Sequence, residues 1–175
     1  MSRYAPFYCE ENVFWLAQEA RLAATRREVV FVSNAARSVA LLAQRAARRE
    51  GEPVVWDYHV VLAVYRPGGV EVEDLDCVRG PSLPARDWLE ASFGPARGMQ
   101  ARFAPRFRVV EADEYVASFS SDRAHMRAPD GSWLAPPPAW APIVRGPSNL
   151  LRFADVTAPF AGEVLELFEL CARWR

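Results

Sequence analysis

Pro53-Val54-Val55-Trp56-Asp57-Tyr58-His59-Val60-Val61-Leu62-Ala63-Val64-Tyr65, Arg66-Pro67-Gly68-Gly69 and Val70-Glu71-Val72-Glu73-Asp74-Leu75-Asp76-Cys77 decide the fold class. Two runs rich in β-branched and aromatic residues flank a Pro-Gly-Gly turn signal, which predicts a β-hairpin. Side chains alternate along a strand, so Asp57 and His59 are expected to share a face, and so are Asp74 and Asp76. A two-residue turn at Pro67-Gly68 sets His59 opposite Asp76; a slip of two sets it opposite Asp74. Either way one carboxylate lies across from the imidazole and the other diagonal to it. An imidazole held by a carboxylate is the base-and-orienter half of a catalytic triad. The plainer alternative is a buried histidine satisfied by one acid.

The 175 residues suit one domain over 1–175, and the 51% hydrophobic content supports a sizeable core. A net charge of −1 leaves no electrostatic footprint for nucleic acid or an anionic membrane. No run approaches the roughly 18 to 20 apolar residues of a membrane span, and Met1-Ser2-Arg3-Tyr4-Ala5-Pro6 is no signal peptide. The expectation is a soluble, cytoplasmic monomer that binds neither nucleic acid nor membrane. The 21 basic side chains are all arginine, which excludes lysine Schiff-base chemistry and a Walker-type phosphate loop. Cys9, Cys77 and Cys171 are widely spaced and odd in number, against a disulfide framework or a Cys-x-x-Cys zinc site.

Tyr8 to Ala17 opens a helix, with Val13, Leu16, Ala17 and Ala20 at helical spacing and acids in its first turn. Cys9 falls at its N-terminus, where free amides and the dipole lower a thiol pKa and can receive an oxyanion. Glu28 to Asn34 reads as a strand or extended segment. Asn34 is expected to cap a helix from about Ala35 to Glu50, with Val39, Leu42, Ala43 and Ala46 on its apolar face. A short helix over Ala85 to Phe93 stops at Gly94-Pro95. Arg106 to Val110 alternates like an edge strand, and Ala112 to Phe119 is a second short helix. The irregular 120–138 region is a candidate cleft lining. Asn149 to Val156 reads as a surface element. Gly162 to Arg175 fits helix or strand, with strand favoured.

Several blocks then occur in one order: Tyr8-Cys9-Glu10-Glu11-Asn12-Val13, Trp56-Asp57-Tyr58-His59-Val60-Val61, Asp74-Leu75-Asp76, Phe107-Arg108-Val109, Ser121-Asp122-Arg123-Ala124-His125-Met126, and Trp133 with Pro136-Pro137-Pro138. Together they resemble the protein N-terminal glutamine amidohydrolase family over nearly the whole chain; the ending Phe168 to Arg173 is only loosely similar. The resemblance implies an α+β fold of the papain/transglutaminase-like cysteine hydrolase type, with a helix carrying Cys packed on an antiparallel sheet carrying His and Asp. It implies a Cys9, His59, Asp74 triad. Strand geometry does not choose Asp74 over Asp76, so that choice comes from the resemblance. It further implies hydrolysis of an N-terminal glutamine side chain to glutamate with loss of ammonia, on protein or peptide substrates, with no metal and no cofactor. In eukaryotic members this feeds an N-degron pathway.

Selecting a chain terminus requires an acceptor for the α-ammonium. Glu10, Glu11, Asp57 and Asp122 are candidates, as are carbonyls of the 120–126 loop; Asp76 and Trp56 join the tentative substrate-binding set. Glu10 and Glu11 also suit the helix dipole, and Asp122 with Arg123 suits a loop salt bridge. Trp56, Tyr58 and Trp133 wall a cleft or belong to the core, and His125 is better suited to a structural hydrogen bond. Cys77 and Cys171 read as buried and inert. Competing readings are a deamidase, transglutaminase or protease acting on internal residues, a non-catalytic interaction domain, and a metal site from Cys9, His59 and an acid.

Overall fold

The computed structural model describes residues 3–94 and 100–175. The hairpin forms about the two-residue turn: β4 (His59–Arg66) pairs with β5 (Gly69–Glu73), with Arg66 opposite Gly69 and Leu62 opposite Glu73. Gly69 takes a φ of 124°, which a side chain would resist. Pairing ends at Glu73. Asp74 to Cys77 then closes a turn, the Cys77 N–H donating to the Asp74 carbonyl at 3.1 Å. Asp74 and Asp76 therefore stand in a turn and not on a shared strand face. The other arm is broken too. β3 (Val54–Trp56) ends before Asp57-Tyr58, and Asp57 Oδ1 accepts the Tyr58 N–H at 2.9 Å across the break.

A six-stranded antiparallel sheet is completed by β1 (Arg27–Ser33), β6 (Ser82–Pro84), β7 (Arg106–Glu111) and β8 (Glu163–Glu166), in the order β6-β5-β4-β1-β7-β8. All of β1 is buried because both sheet faces are covered. Val29 and Phe31 pack with α1 (Cys9–Leu16), α3 (Ala112–Ser118) and α4 (Leu150–Ala154). Val30 and Val32 pack with α2 (Ala85–Phe93) and α5 (Leu167–Arg173). The result is a mixed α+β fold with helices on both faces of one sheet. Among the described residues no helix is long and apolar enough to cross a membrane.

Four elements depart from expectation. No helix spans 35–50. Asn34 caps a turn instead, accepting the Ser38 N–H at 3.0 Å and donating to the Ala104 carbonyl at 3.2 Å. β2 (Val39–Leu41) then pairs with β3 in a separate ribbon, and Arg37 and Ala43 adopt left-handed φ values of 49° and 55° that a helix cannot contain. Helix propensity is worth only a few tenths of a kcal/mol per residue. Burying Val39 and Leu41 against the α2 side of the core is worth about 1.5–3 kcal/mol each, and it prevails. β7 is not an edge strand, because β8 covers it. The 149–156 element is α4, and its Phe153 is fully buried, stacked on Phe31 at 5.4 Å. The 162–175 segment is strand and then helix. The α2 range agrees with the sequence; Gly94 is its C-cap, and Pro95 lies outside the described residues.

Arg108 ties β7 to the segment after α4. Its fully buried guanidinium donates to the carbonyls of Phe153, Asp155, Ala158 and Ala161. Burial away from any bonded carboxylate pushes its pKa down.

Candidate active site

The site is assembled at the start of β4, where the two helical layers meet. His59 opens the strand and shares the parity of Val61 and Ala63, which pack with Trp88 of α2; Val60 and Leu62 pack with α1. α1 brings Cys9 at its first turn, with Tyr8 as N-cap. A strap precedes it. Ala5 is clamped through both backbone groups by Asn12, at 2.8 and 2.9 Å, and Phe7 adopts a left-handed φ of 68°. That conformation is uncommon for a residue with a side chain, and it sits beside the cleft.

Buried His59 directs Nε2 to Asp74 Oδ1 at 3.0 Å, and its ring stacks on Trp56 with centroids 5.9 Å apart. Asp74 is saturated with donors. Oδ1 also accepts the Asp76 N–H at 3.0 Å, while Oδ2 accepts from Trp88 Nε1 at 3.0 Å and Gln44 Nε2 at 3.2 Å. Burial alone raises this carboxyl, but His59, Trp88 and Gln44 outweigh it and hold Asp74 below the ordinary range. Burial likewise lowers His59, yet Asp74 prevails and the imidazole pKa is raised. A carboxylate on Nε2 selects the tautomer with its proton there, which leaves Nδ1 as the nitrogen able to take a proton.

Burial and neighbouring charge outweigh the lowering expected from the helix N-terminus at Cys9. Burial pushes the thiol well above its ordinary value and the Glu10 and Asp76 carboxylates add to this, opposed by the Val60 backbone N–H. Deprotonation at neutral pH therefore requires a base. A cavity of about 250 Å³ opens over the group. Cys9, His59 and Asp76 line it with Phe7, Trp56, Asp57 and Tyr58, and the 120–138 loop contributes His125, Met126, Leu134 and Ala135.

Residues 4–174 match the family described as N-terminal glutamine amidase. The chain belongs to this family. Among its relatives is the protein N-terminal glutamine amidohydrolase of Drosophila ananassae, 38% identical over 167 residues, which are 91% of this chain and 80% of that protein. The Drosophila melanogaster protein of the same name is 38% identical over 168 residues, with the same coverage. That of Drosophila pseudoobscura pseudoobscura is 37% identical over 167.

In this amidase-family chain the candidate residues separate by location. Cys9, Trp56, Asp57, His59 and Asp76 line the cavity, and Asp74 sits behind His59. Glu10 is fully buried beside it; Oε2 accepts from Tyr58 OH at 3.2 Å, and Oε1 lies 3.4 Å from His125 Nε2. Glu11 is not at the cavity. It forms a buried bidentate pair with Arg123 at 2.7 Å and accepts from Trp140 Nε1 at 2.6 Å. Asp122 is exposed and caps the 124–126 turn through the Ala124 N–H; the loop salt bridge expected for Asp122 and Arg123 runs from Arg123 to Glu11 instead. Trp133 stacks under Arg127, away from the cavity. Cys77 is fully buried, whereas Cys171 is only partly so.

Sequence reading missed Gln44 and Trp88, which hold Asp74, and Tyr4, whose OH donates to Asp76 Oδ1 at 2.7 Å. Gln44 lay inside a misassigned helix. Trp88 resembles any apolar face residue; only its indole N–H hinted at a polar partner. Among the described residues, His59, Asp74 and Asp76 also form a metal-sized group, their ligand atoms within 4.8 Å of one another.

Proposed function

We propose that this chain hydrolyses the side-chain amide of an N-terminal glutamine in a peptide or protein, giving N-terminal glutamate and ammonia, with Cys9 as nucleophile, His59 as general base and acid, and Asp74 as its orienter. Family membership supports the substrate class. The observation that carries the chemistry is the 3.0 Å His59–Asp74 bond beside a cavity that Cys9 also lines. The relatives' printed name points to the same reaction.

His59 Nδ1 takes the Cys9 proton as the sulfur bonds to the amide carbon. Asp74 stabilises the resulting imidazolium. The backbone N–H of Cys9 at the α1 terminus faces the developing oxyanion. His59 returns the proton to the departing nitrogen, the C–N bond breaks, and ammonia leaves a thioester on Cys9. Water, deprotonated by His59, adds to that carbon. The C–S bond breaks, restoring the thiol and leaving a carboxylate. A cysteine at a helix start packed on an antiparallel sheet supports a papain- or transglutaminase-like relationship, and the match over 4–174 supports reading 1–175 as one amidase domain.

The reading is tested with two peptides, one beginning with free glutamine and one with the same glutamine acetylated. Ammonia from the free peptide only supports it. Equal release from both replaces it with a general glutamine deamidase.

A further inference from the structure

The neutral carboxamide of glutamine has no need of a negative cleft, yet Asp57 and Asp76 line the cavity and, among the described residues, no arginine does. Glu10 is buried beside them. The three acids are not equivalent. Asp57 is more than half exposed and faces Arg37 at 3.5 Å. Glu10 is not part of the cavity lining, and Tyr58, His125 and the Cys9 thiol surround it. Asp76 is only 7% exposed and still reaches the cavity. Its Oδ1 accepts from the Tyr4 phenol, while Oδ2 has no hydrogen-bond partner and the carboxylate no ion pair among the described residues. His59 and Arg45 act on this carboxylate from a distance, but neither pairs with it, and a mostly buried carboxylate without a directly bonded cation favours a ligand that supplies one.

We propose that Asp76, carried by the turn after β5 and braced by Tyr4, receives the α-ammonium of the substrate's terminal glutamine and so confines the enzyme to chain termini. This rests on the amidase reading and names the group that makes it terminal. The spacing suits the substrate: the α-nitrogen is four bonds from the amide carbon, and Asp76 lies within 4.8 Å of His59. The arrangement also links binding to reactivity. Asp76 is among the carboxylates that hold the Cys9 thiol up, and burial, with a smaller contribution from Asp74, raises Asp76 itself against the opposing effects of His59, Tyr4 and Arg45. An ammonium on Asp76 relieves both repulsions. An acetylated or internal glutamine brings no such charge and leaves the carboxylate desolvated and unpaired, the kind of mismatch that gives strong discrimination.

The test compares kcat/KM for a free-amine glutamine peptide with that for its des-amino analogue, the same peptide acylated with glutaramic acid, which keeps the carboxamide and lacks only the amine. Wild type favours the free amine by at least about 100-fold. Asp76→Asn lowers that ratio by roughly 10- to 100-fold, the loss of one charge-assisted contact. A ratio within twofold of wild type, with both substrates slowed equally, assigns Asp76 a structural role and overturns the proposal. If Asp76→Asn does not fold, Tyr4→Phe decides, since Tyr4 is 40% exposed. Its ratio falls severalfold if Tyr4 braces the receptor, and an unchanged ratio overturns the assignment. A wild-type enzyme silent on the free peptide overturns the amidase reading, and this assignment with it.

Discussion

The indole N–H of Trp88 reaches Asp74 Oδ2 at 3.0 Å, on the oxygen opposite the one that holds His59. A residue of the α2 layer thereby fixes the acid proposed to orient a base on β4. Trp88→Phe keeps most of the packing against Phe93 and Trp174 and removes this donor. It is expected to lower kcat by roughly 10- to 100-fold, as for one hydrogen bond to a charged group. Steady-state kinetics beside a thermal melt check this; an unchanged kcat in a folded variant means Trp88 serves packing alone.

Asp74 and Asp76 are two residues apart in one turn, and the proposed mechanism gives them different duties. Asp74→Asn should reduce kcat by roughly 10²- to 10⁴-fold through loss of the imidazolium partner and its tautomer control. Asp76→Asn should reduce kcat less. The reverse order in matched kinetics would exchange the two roles.

Rate should depend on pH through His59. The Cys9 thiol is held well up and the imidazole is raised, so the competent form, thiol with neutral imidazole, accumulates as pH rises through the His59 pKa. The acid limb of kcat/KM therefore has its midpoint above about 6.5, and Asp74→Asn moves it down, because Asp74 is what raises it. A limb unmoved by the substitution contradicts this. The pair also links stability to pH. The His59 share is fully present below about 6.5 and is lost as pH rises through its raised folded value. The Asp74 share is present above about 3.9 and is lost as pH falls through its lowered one.

The Glu11–Arg123 pair belongs to the fold, tying α1 to the loop that lines the cavity. Removing one partner leaves a buried charge, so Glu11→Ala or Arg123→Ala should each destabilise by about 3–5 kcal/mol. Denaturant unfolding measures this; a loss below about 1 kcal/mol in both would show that water reaches the pair.

How legible these features were in the sequence depended on the distance over which they are determined. The Pro67-Gly68 turn and the β4–β5 register follow from local signals and period-two patterning, and the 85–93 helix from its flanking prolines and glycine. The helix start at Cys9 was equally local. The 35–50 segment failed because Val39 and Leu41 answer to a core built by α2 and β3, which outweighs alanine's weak preference. The thiol pKa was misjudged for a related reason. The helix terminus is visible in sequence, whereas the burial of Cys9 and the carboxylate of Asp76 are brought by the fold. Gln44 and Tyr4 reach the site across 30 and 72 residues of chain, and no local pattern marks them.

The most direct test of the account is ammonia release from a peptide with free N-terminal glutamine, by wild type and by Cys9→Ala, with the melting of both proteins recorded. Wild type is expected to release ammonia and convert the peptide to its N-terminal glutamate form, and a Cys9→Ala protein that melts as wild type does is expected to show no turnover. A folded Cys9→Ala protein that still releases ammonia at more than about one hundredth of the wild-type rate would contradict it, because the sulfur could not then be the nucleophile.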